Sequence, residues 1–224
     1  MTEYVELHAR SAFSFLRGAC VPEDYVAACL AAGVPAIALT DIDGVYGAPR
    51  LHGEAGKKGV HPHVGAEVTV SDGSRYTLLV ETRQGYQNLC QLITRMKLRA
   101  GRKGAGRNGA NPACERADME EFSAGLICLT GGEEGAMARD LRRETLQGLV
   151  DLYGRDRVYV EVQRHLQRDE EARNQAVVEL ARAMRLPLVA TNGVCHATRG
   201  QREILDVFTC LHHKTTLASA GRLL

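Results

Sequence analysis

The sequence predicts an α/β fold in which seven short strands alternate with helices and form a distorted β/α barrel. Seven apolar segments alternate with segments of helical periodicity, which implies a parallel sheet. Polar residues repeatedly follow the apolar segments, where such folds place their chemistry: His8, Asp41, Gly131, His165 and Asn192. No GxGxxG or GxxxxGKS/T motif occurs, so the pattern favours a closed barrel over an open nucleotide-binding sheet.

The first strand–helix units are defined by their turn residues. A strand is predicted over residues 4–7, and Pro22 begins a helix because proline suits the first helical turn. Gly33 ends that helix. The next strand runs from residue 36 and leads directly into Asp41.

The rest of the chain continues the alternation in the same way. Strands are predicted over residues 60–70, 75–80, 126–129, 158–162 and 187–191. Helices are predicted over residues 48–58, 84–99, 133–153 with a break near Asp140, 169–185 and 201–211.

Length and composition are those of an ordinary globular protein. The chain has 224 residues, of which 45% are hydrophobic and 25% charged, so we expect a single domain over residues 1–224. The net charge of +1 gives no general argument for nucleic acid or membrane binding. Seven cysteines without CxxC spacing indicate reduced thiols in a cytoplasmic protein. No apolar run reaches the ~18 residues of a membrane span, so no membrane partner is expected.

Residues 100–112 (AGRKGAGRNGANP) interrupt the pattern and predict a mobile loop. No acidic residue occurs between Thr82 and Cys114, so this region is locally basic. It is either a solvated loop beside a basic helix end or a phosphate-binding surface, and the lack of interleaved aromatic residues favours the first. The candidate phosphate contacts are Lys97, Arg99, Arg102, Lys103 and Arg107.

Two histidine pairs resemble metal ligands by composition alone. His61 and His63 precede the strand that bears Glu67, at the turn between a helix and that strand, so we expect them at the surface. His212 and His213 are also expected to be solvated.

Six segments together resemble one family. They are LHARSAFSFLRGA (7–19), LTDIDGVYGA (39–48), VGAEV (64–68), ETRQGYQNL (81–89), VEVQRH (160–165) and LVATNGVCHAT (188–198). In order and spacing they resemble the N-terminal PHP (polymerase and histidinol phosphatase) domain of bacterial C-family DNA polymerases, the DNA polymerase III alpha subunits. The SFLRGA, DGVYGA and ATNGV variants are more similar to the error-prone branch than to the replicative one.

The resemblance implies a seven-stranded β/α barrel and a known place for metal ions. In active members, a ring of His, Asp, Glu and Cys at the strand ends binds several metal ions that activate water against a phosphoester. Matched position by position, His8 and Glu67 keep their ligand types, and Cys195 could serve a third position. Asp41, His165 and His196 lie near ligand positions without matching them.

The other ligand positions are occupied by residues that cannot bind a cation. They are Arg10, Arg17, Ile42, Arg75, Gly132 and Gly193. Arginine stays protonated and has no lone pair to donate, so these replacements imply a degenerate site without bound metal or catalysis. We further expect the cluster of Arg10, Arg17 and Arg75 to replace the lost metal charge, with at least one of them paired to Glu67 or Asp41.

The resemblance therefore implies a non-catalytic module of an error-prone polymerase, with no cofactor of its own. The parent chain would be a nucleotidyltransferase that uses magnesium in damage tolerance and DNA repair, and residues from about 215 would lead toward its polymerase core. The implied partners are the rest of that chain, DNA through the parent, and other replication or mutagenesis subunits. The rival interpretation is an active metal-dependent phosphoesterase or 3'-5' proofreading exonuclease with zinc or manganese. A free-standing histidinol-phosphate phosphatase is disfavoured because the segments between the motifs resemble polymerases.

Overall fold

A computed structural model describes residues 4–100, 112–168 and 170–224. The α/β fold class is confirmed: seven strands lie in one sheet in the order β1 to β7. The strands are β1 (Glu6–Ala9), β2 (Ala36–Ile42), β3 (His61–Thr69), β4 (Arg75–Val80), β5 (Leu126–Leu129), β6 (Val158–Val162) and β7 (Leu188–Ala190). The helices are α1 (Pro22–Ala32), α2 (Ala48–Lys58), α3 (Arg83–Ala100), α4 (Arg116–Phe122), α5 (Ala136–Arg139), α6 (Arg143–Tyr153), α7 (Glu170–Met184) and α8 (Arg202–His213).

The chain divides into two compact units. The first contains Met1–Val64 and Gly193–Leu224, and the second contains Gly65–Asn192. That the whole chain forms one domain stays a prediction.

In the first unit, β1 and β2 are parallel, with Glu6 opposite Ile37 and Ala9 opposite Leu39. The core of this unit includes Leu39, Leu51 and Val26, all essentially inaccessible to solvent. Burying each such side chain contributes roughly 1.5–3 kcal/mol, and this packing fixes the strand ends that carry the polar residues. β1 begins two residues later than predicted, and β2 extends through Asp41.

In the second unit, the prediction of a wholly parallel sheet is wrong. β4 is antiparallel to both β3 and β5, whereas β5, β6 and β7 are parallel. The five residues between β3 and β4 form a turn around Gly73, whose φ is 82°. A parallel connection needs a crossover of a dozen residues or more, so this short link permits only an antiparallel pair.

The helices agree with the sequence in most places. The predicted break near Asp140 is confirmed, since α5 ends at Arg139 and α6 begins at Arg143. Helix α4 was not predicted. Residues 101–111, most of the predicted loop, lie outside the described residues. Of the helices that are described, none is both long and apolar enough to cross a membrane.

Candidate functional site

Asp41 is buried in β2, and its carboxylate is fully engaged by the loop that follows β1. The backbone N–H of Ser11 donates to Oδ1 at 2.8 Å, the Ser11 hydroxyl lies 2.9 Å from both oxygens, and the Ser14 hydroxyl lies 2.8 Å from Oδ1. Burial raises the pKa of Asp41, and the hydrogen bonds from Ser14 and Ser11 oppose that rise. Asp41 therefore anchors this loop.

Two neighbouring backbone positions complete the Asp41 environment. Ser14 Oγ accepts a hydrogen bond from the backbone N–H of Ile42 at 3.0 Å. A methyl group at Gly47 would lie 2.7 Å from Asp41 Oδ2, so only glycine permits the backbone to approach this closely. The serines were missed at the sequence level, although both lie in the SAFSF segment directly after β1.

The other predicted residues of the first unit lie around β1. His8 is buried in the strand. Val194 pairs with Ala9, which brings Cys195 beside β1, and Cys195 is only partly buried. His196 is likewise half-buried. The Arg17 guanidinium lies 3.3 Å from Nε2 of His212.

In the second unit, Glu67 is buried on β3 opposite Thr77 of β4. Arg75, at the start of β4, forms a salt bridge with Glu134. The predicted pairing of an arginine with Glu67 or Asp41 stays a prediction.

A buried network at the end of β6 involves residues that the sequence analysis did not single out. Gln163 Nε2 donates to Glu161 Oε1 at 2.9 Å and to Thr191 Oγ1 at 3.1 Å, and the Thr191 hydroxyl donates to the same carboxylate oxygen. Thr130 Oγ1 accepts the backbone N–H of Glu161 at 3.0 Å. Glu161 lies in β6 and Gln163 directly follows the strand, and the two-residue spacing directs both side chains to the same buried side. The two-residue spacing of these polar side chains in the segment VEVQRH could have indicated the network from the sequence alone.

Gln163 also occupies the space beside Gly132. A Cβ atom built at Gly132 would lie 2.2 Å from Gln163 Oε1 and 2.7 Å from Cδ. A cysteine or histidine side chain at residue 132 could not be accommodated while Gln163 stays in this network.

Within the described residues, Glu133, His165 and Glu170 form a cluster suited to a metal ion. One ligand atom from each lies within 4.8 Å of the others. His165 Nδ1 is 3.2 Å from Glu170 Oε1, and His165 Nε2 is 2.9 Å from the backbone oxygen of Asn192. Burial favours a higher pKa for Glu170, but hydrogen bonds from the backbone N–H groups of His165 and Gln167 outweigh it, so the pKa is lowered.

Two arginines at the basic end of α3 form salt bridges with the unpredicted helix α4. Arg99 makes a bidentate salt bridge to Asp118, with N–O distances of 2.7 and 2.8 Å. Arg95 pairs with Glu121, and its guanidinium also lies 4.4 Å from the centre of the Phe122 ring. Arg102, Lys103 and Arg107 lie outside the described residues.

The sequence of this chain matches a known family and several curated relatives. The model of the PHP domain matches residues 6–165. An error-prone DNA polymerase from Anaeromyxobacter dehalogenans (strain 2CP-C) is 38% identical over 234 residues, covering 99% of this chain and 19% of that protein. One from Pseudomonas fluorescens (strain Pf-5) is 36% identical over 227 residues, covering 100% of this chain and 20% of that protein. The chain thus spans about a fifth of the length of these curated relatives.

Two solved structures share the fold. A crystal structure of a putative metal-dependent phosphoesterase from Bifidobacterium adolescentis has a TM-score of 0.62 at 12% identity, covering 89% of this chain and 90% of that one. An amidohydrolase from Chromobacterium violaceum has a TM-score of 0.60 at 15% identity, covering 86% and 87%. At such identities the likeness concerns the fold alone.

Proposed function

Because this chain belongs to the PHP domain family, we propose that it is a non-catalytic PHP module of an error-prone DNA polymerase. Its relatives are polymerase chains about five times as long. In this proposal the module supports DNA-directed DNA synthesis by its parent during damage tolerance, in the cytoplasm. The rest of the polymerase is its first partner, and DNA is contacted through the parent.

The observation that carries the proposal is the filled space beside Gly132. The family resemblance implies that this position matches a Cys or His ligand of active members, and here the Gln163 amide occupies the volume of a side chain at that position. The amide is in turn held by Glu161 and Thr191. A hydrogen-bonded amide in place of a ligand supports a structural role for this strand end.

The donor set also argues against a multinuclear metal centre. Arg10, Ile42 and Gly193 stand at ligand positions and offer no side-chain lone pair to a cation. Asp41 is near those positions, but its oxygens already accept hydrogen bonds from Ser11 and Ser14. The residues present do not fit several metal ions, so we derive no hydrolytic step.

A direct test measures phosphodiesterase and exonuclease activity of the purified chain. We expect no turnover of bis(p-nitrophenyl) phosphate or of 3'-labelled single-stranded DNA with added Mn²⁺ or Zn²⁺, and no difference between the wild type and His8→Ala. Two or more metal ions per chain, together with activity that disappears in His8→Ala and Glu67→Gln, would establish the rival phosphoesterase function instead.

A further inference from the structure

We propose that Glu133, His165 and Glu170 bind one divalent transition-metal ion that fastens the end of β6 to the start of α7. In the position-by-position match that the family resemblance implies, none of the three falls on a ligand position, so this inference does not depend on the proposed function. It rests on the orientation of His165, on the burial of Glu170 and on the ligand types.

The hydrogen bonding of His165 leaves one ring nitrogen directed at a carboxylate. The backbone oxygen of Asn192 can only accept, so Nε2 at 2.9 Å carries the proton. In the neutral ring, Nδ1 then presents a lone pair toward Glu170 Oε1 at 3.2 Å. Two lone pairs face each other stably only if a cation or a proton lies between them. Metal-binding histidines regularly donate their other N–H to a backbone carbonyl, as His165 does.

One carboxylate oxygen of Glu170 is fixed by backbone hydrogen bonds, and the other faces His165. Its side chain is 2% exposed, and Oε2 accepts the backbone N–H groups of His165 at 2.6 Å and Gln167 at 3.3 Å. Oε1 has no hydrogen-bond partner among the described residues. A buried acceptor left in this state is destabilising, and a bound cation would remove that cost.

Glu133 completes the cluster from the segment after β5. It is exposed and can rotate, whereas His165 and Glu170 are fixed by backbone contacts. Two ligands at about 2.0–2.2 Å from one ion lie up to roughly 4.4 Å apart. The three ligand atoms lie within 4.8 Å of one another, so a small adjustment of the exposed Glu133 side chain would bring them to these distances.

The ligand types select the class of ion. One imidazole with two carboxylates suits Zn²⁺ or Mn²⁺, and Zn²⁺ binds the more tightly of the two in the Irving–Williams order. Mg²⁺ prefers six oxygen ligands and retains its water, so it competes poorly. The alternative without metal is a protonated His165 paired with Glu170.

The test is calorimetric titration of the EDTA-treated chain with Zn²⁺, alongside thermal unfolding. We expect His165→Ala to remove one zinc equivalent, and Glu133→Gln to weaken binding at that site at least tenfold. Zinc should raise the melting temperature of the wild type but not of His165→Ala. His63→Ala, an exposed histidine on β3, should keep the site and the thermal shift. Mg²⁺ should produce neither effect.

Two results would overturn the metal site. One is the same zinc stoichiometry and thermal shift in the wild type, His165→Ala and Glu133→Gln. The other is no zinc binding by the wild type. Protonation of both ring nitrogens of His165 in nitrogen-15 NMR spectra near pH 7 would then establish the metal-free pair with Glu170. Because Glu133→Gln alters an exposed side chain, it remains informative if His165→Ala fails to fold.

Discussion

Gln163 and Gly132 occupy a single space: the amide oxygen of Gln163 lies where a side chain at Gly132 would begin, 2.2 Å from an ideal Cβ position. The same amide donates to Glu161 and Thr191. The two positions are therefore coupled, and a substitution at one should alter the loss of folding free energy that a substitution at the other causes.

We expect Gly132→Ala to destabilise the chain by roughly 1–3 kcal/mol, because the added methyl group displaces an amide held by two hydrogen bonds. In the Gln163→Ala background the same change should cost far less. Chemical denaturation of the wild type, both single variants and the double variant measures this coupling. Gly53→Ala is the matched control, since its methyl group meets nothing within 4 Å. Additive costs within ~0.5 kcal/mol would contradict the shared space.

Ser11→Ala should destabilise the first unit in a pH-dependent way. The variant removes a donor to the ionised Asp41, whose pKa is already raised by burial, so the folded-state pKa rises further. A raised carboxyl pKa means that stability falls as pH rises from the unfolded value of about 4. We expect a loss of about 1–3 kcal/mol near pH 7 that shrinks as pH falls through the raised folded-state pKa values and is gone by about pH 4.

The measurement for Ser11→Ala is urea denaturation between pH 3 and pH 8. Ser71→Ala, in an exposed turn, serves as the control. A loss that stays constant across this range would show that the hydroxyl acts through packing and not through the Asp41 charge.

Asp118→Asn should weaken the contact between α3 and α4. The Arg99 guanidinium lowers the pKa of Asp118, so this carboxylate contributes stability above the unfolded value of about 4 and loses it as pH falls. Asp118 is 4% exposed but Arg99 is 39% exposed, so solvent screening limits the expected cost to roughly 1–2 kcal/mol near pH 7.

Thermal unfolding at pH 7 and pH 3 tests the salt bridge between Asp118 and Arg99. The difference in melting temperature between Asp118→Asn and the wild type should be smaller at pH 3. Glu120→Gln is the control on the same helix, because its salt bridge to Arg116 is exposed on both sides. If Asp118→Asn and Glu120→Gln lowered the melting temperature equally at pH 7, the stabilising role of the Asp118 salt bridge would be refuted.

The seven cysteine thiols should differ in their rate of alkylation. Cys90 and Cys195 are partly exposed, while Cys20, Cys29, Cys114, Cys128 and Cys210 are buried. Burial raises the pKa of Cys20 to about 11, which further lowers its thiolate fraction. Mass spectrometry after a short iodoacetamide treatment of the folded chain should find label at Cys90 and Cys195 first. Early label at Cys20 or Cys128 would contradict the packing around β1 and β5.

The fold class and most element boundaries could be predicted from the sequence because they depend on local patterns. Pro22 and Gly33 mark the ends of α1, and the apolar runs mark strands that are buried in the sheet. The antiparallel position of β4 was not foreseen, since strand direction depends on pairing between segments and not on the pattern within one.

The family could also be recognised from the sequence, since short segments in a fixed order carry that information. The partners of the α3 arginines, in contrast, could not be predicted from the sequence: Asp118 and Glu121 lie some twenty residues away and meet the arginines only after folding. Helix α4 itself is short and was missed for that reason.

The sequence by itself determined the fold class, and through the family resemblance it predicts that ligand side chains are lost at Arg10, Ile42 and Gly193. Only the tertiary structure decided what the remaining polar groups do. The serines that hold Asp41 and the amide that fills the space beside Gly132 act through distances between segments remote in the chain. A sequence specifies which groups can donate or accept, but hydrogen bonding and steric exclusion act over a few ångströms, and folding alone sets those separations.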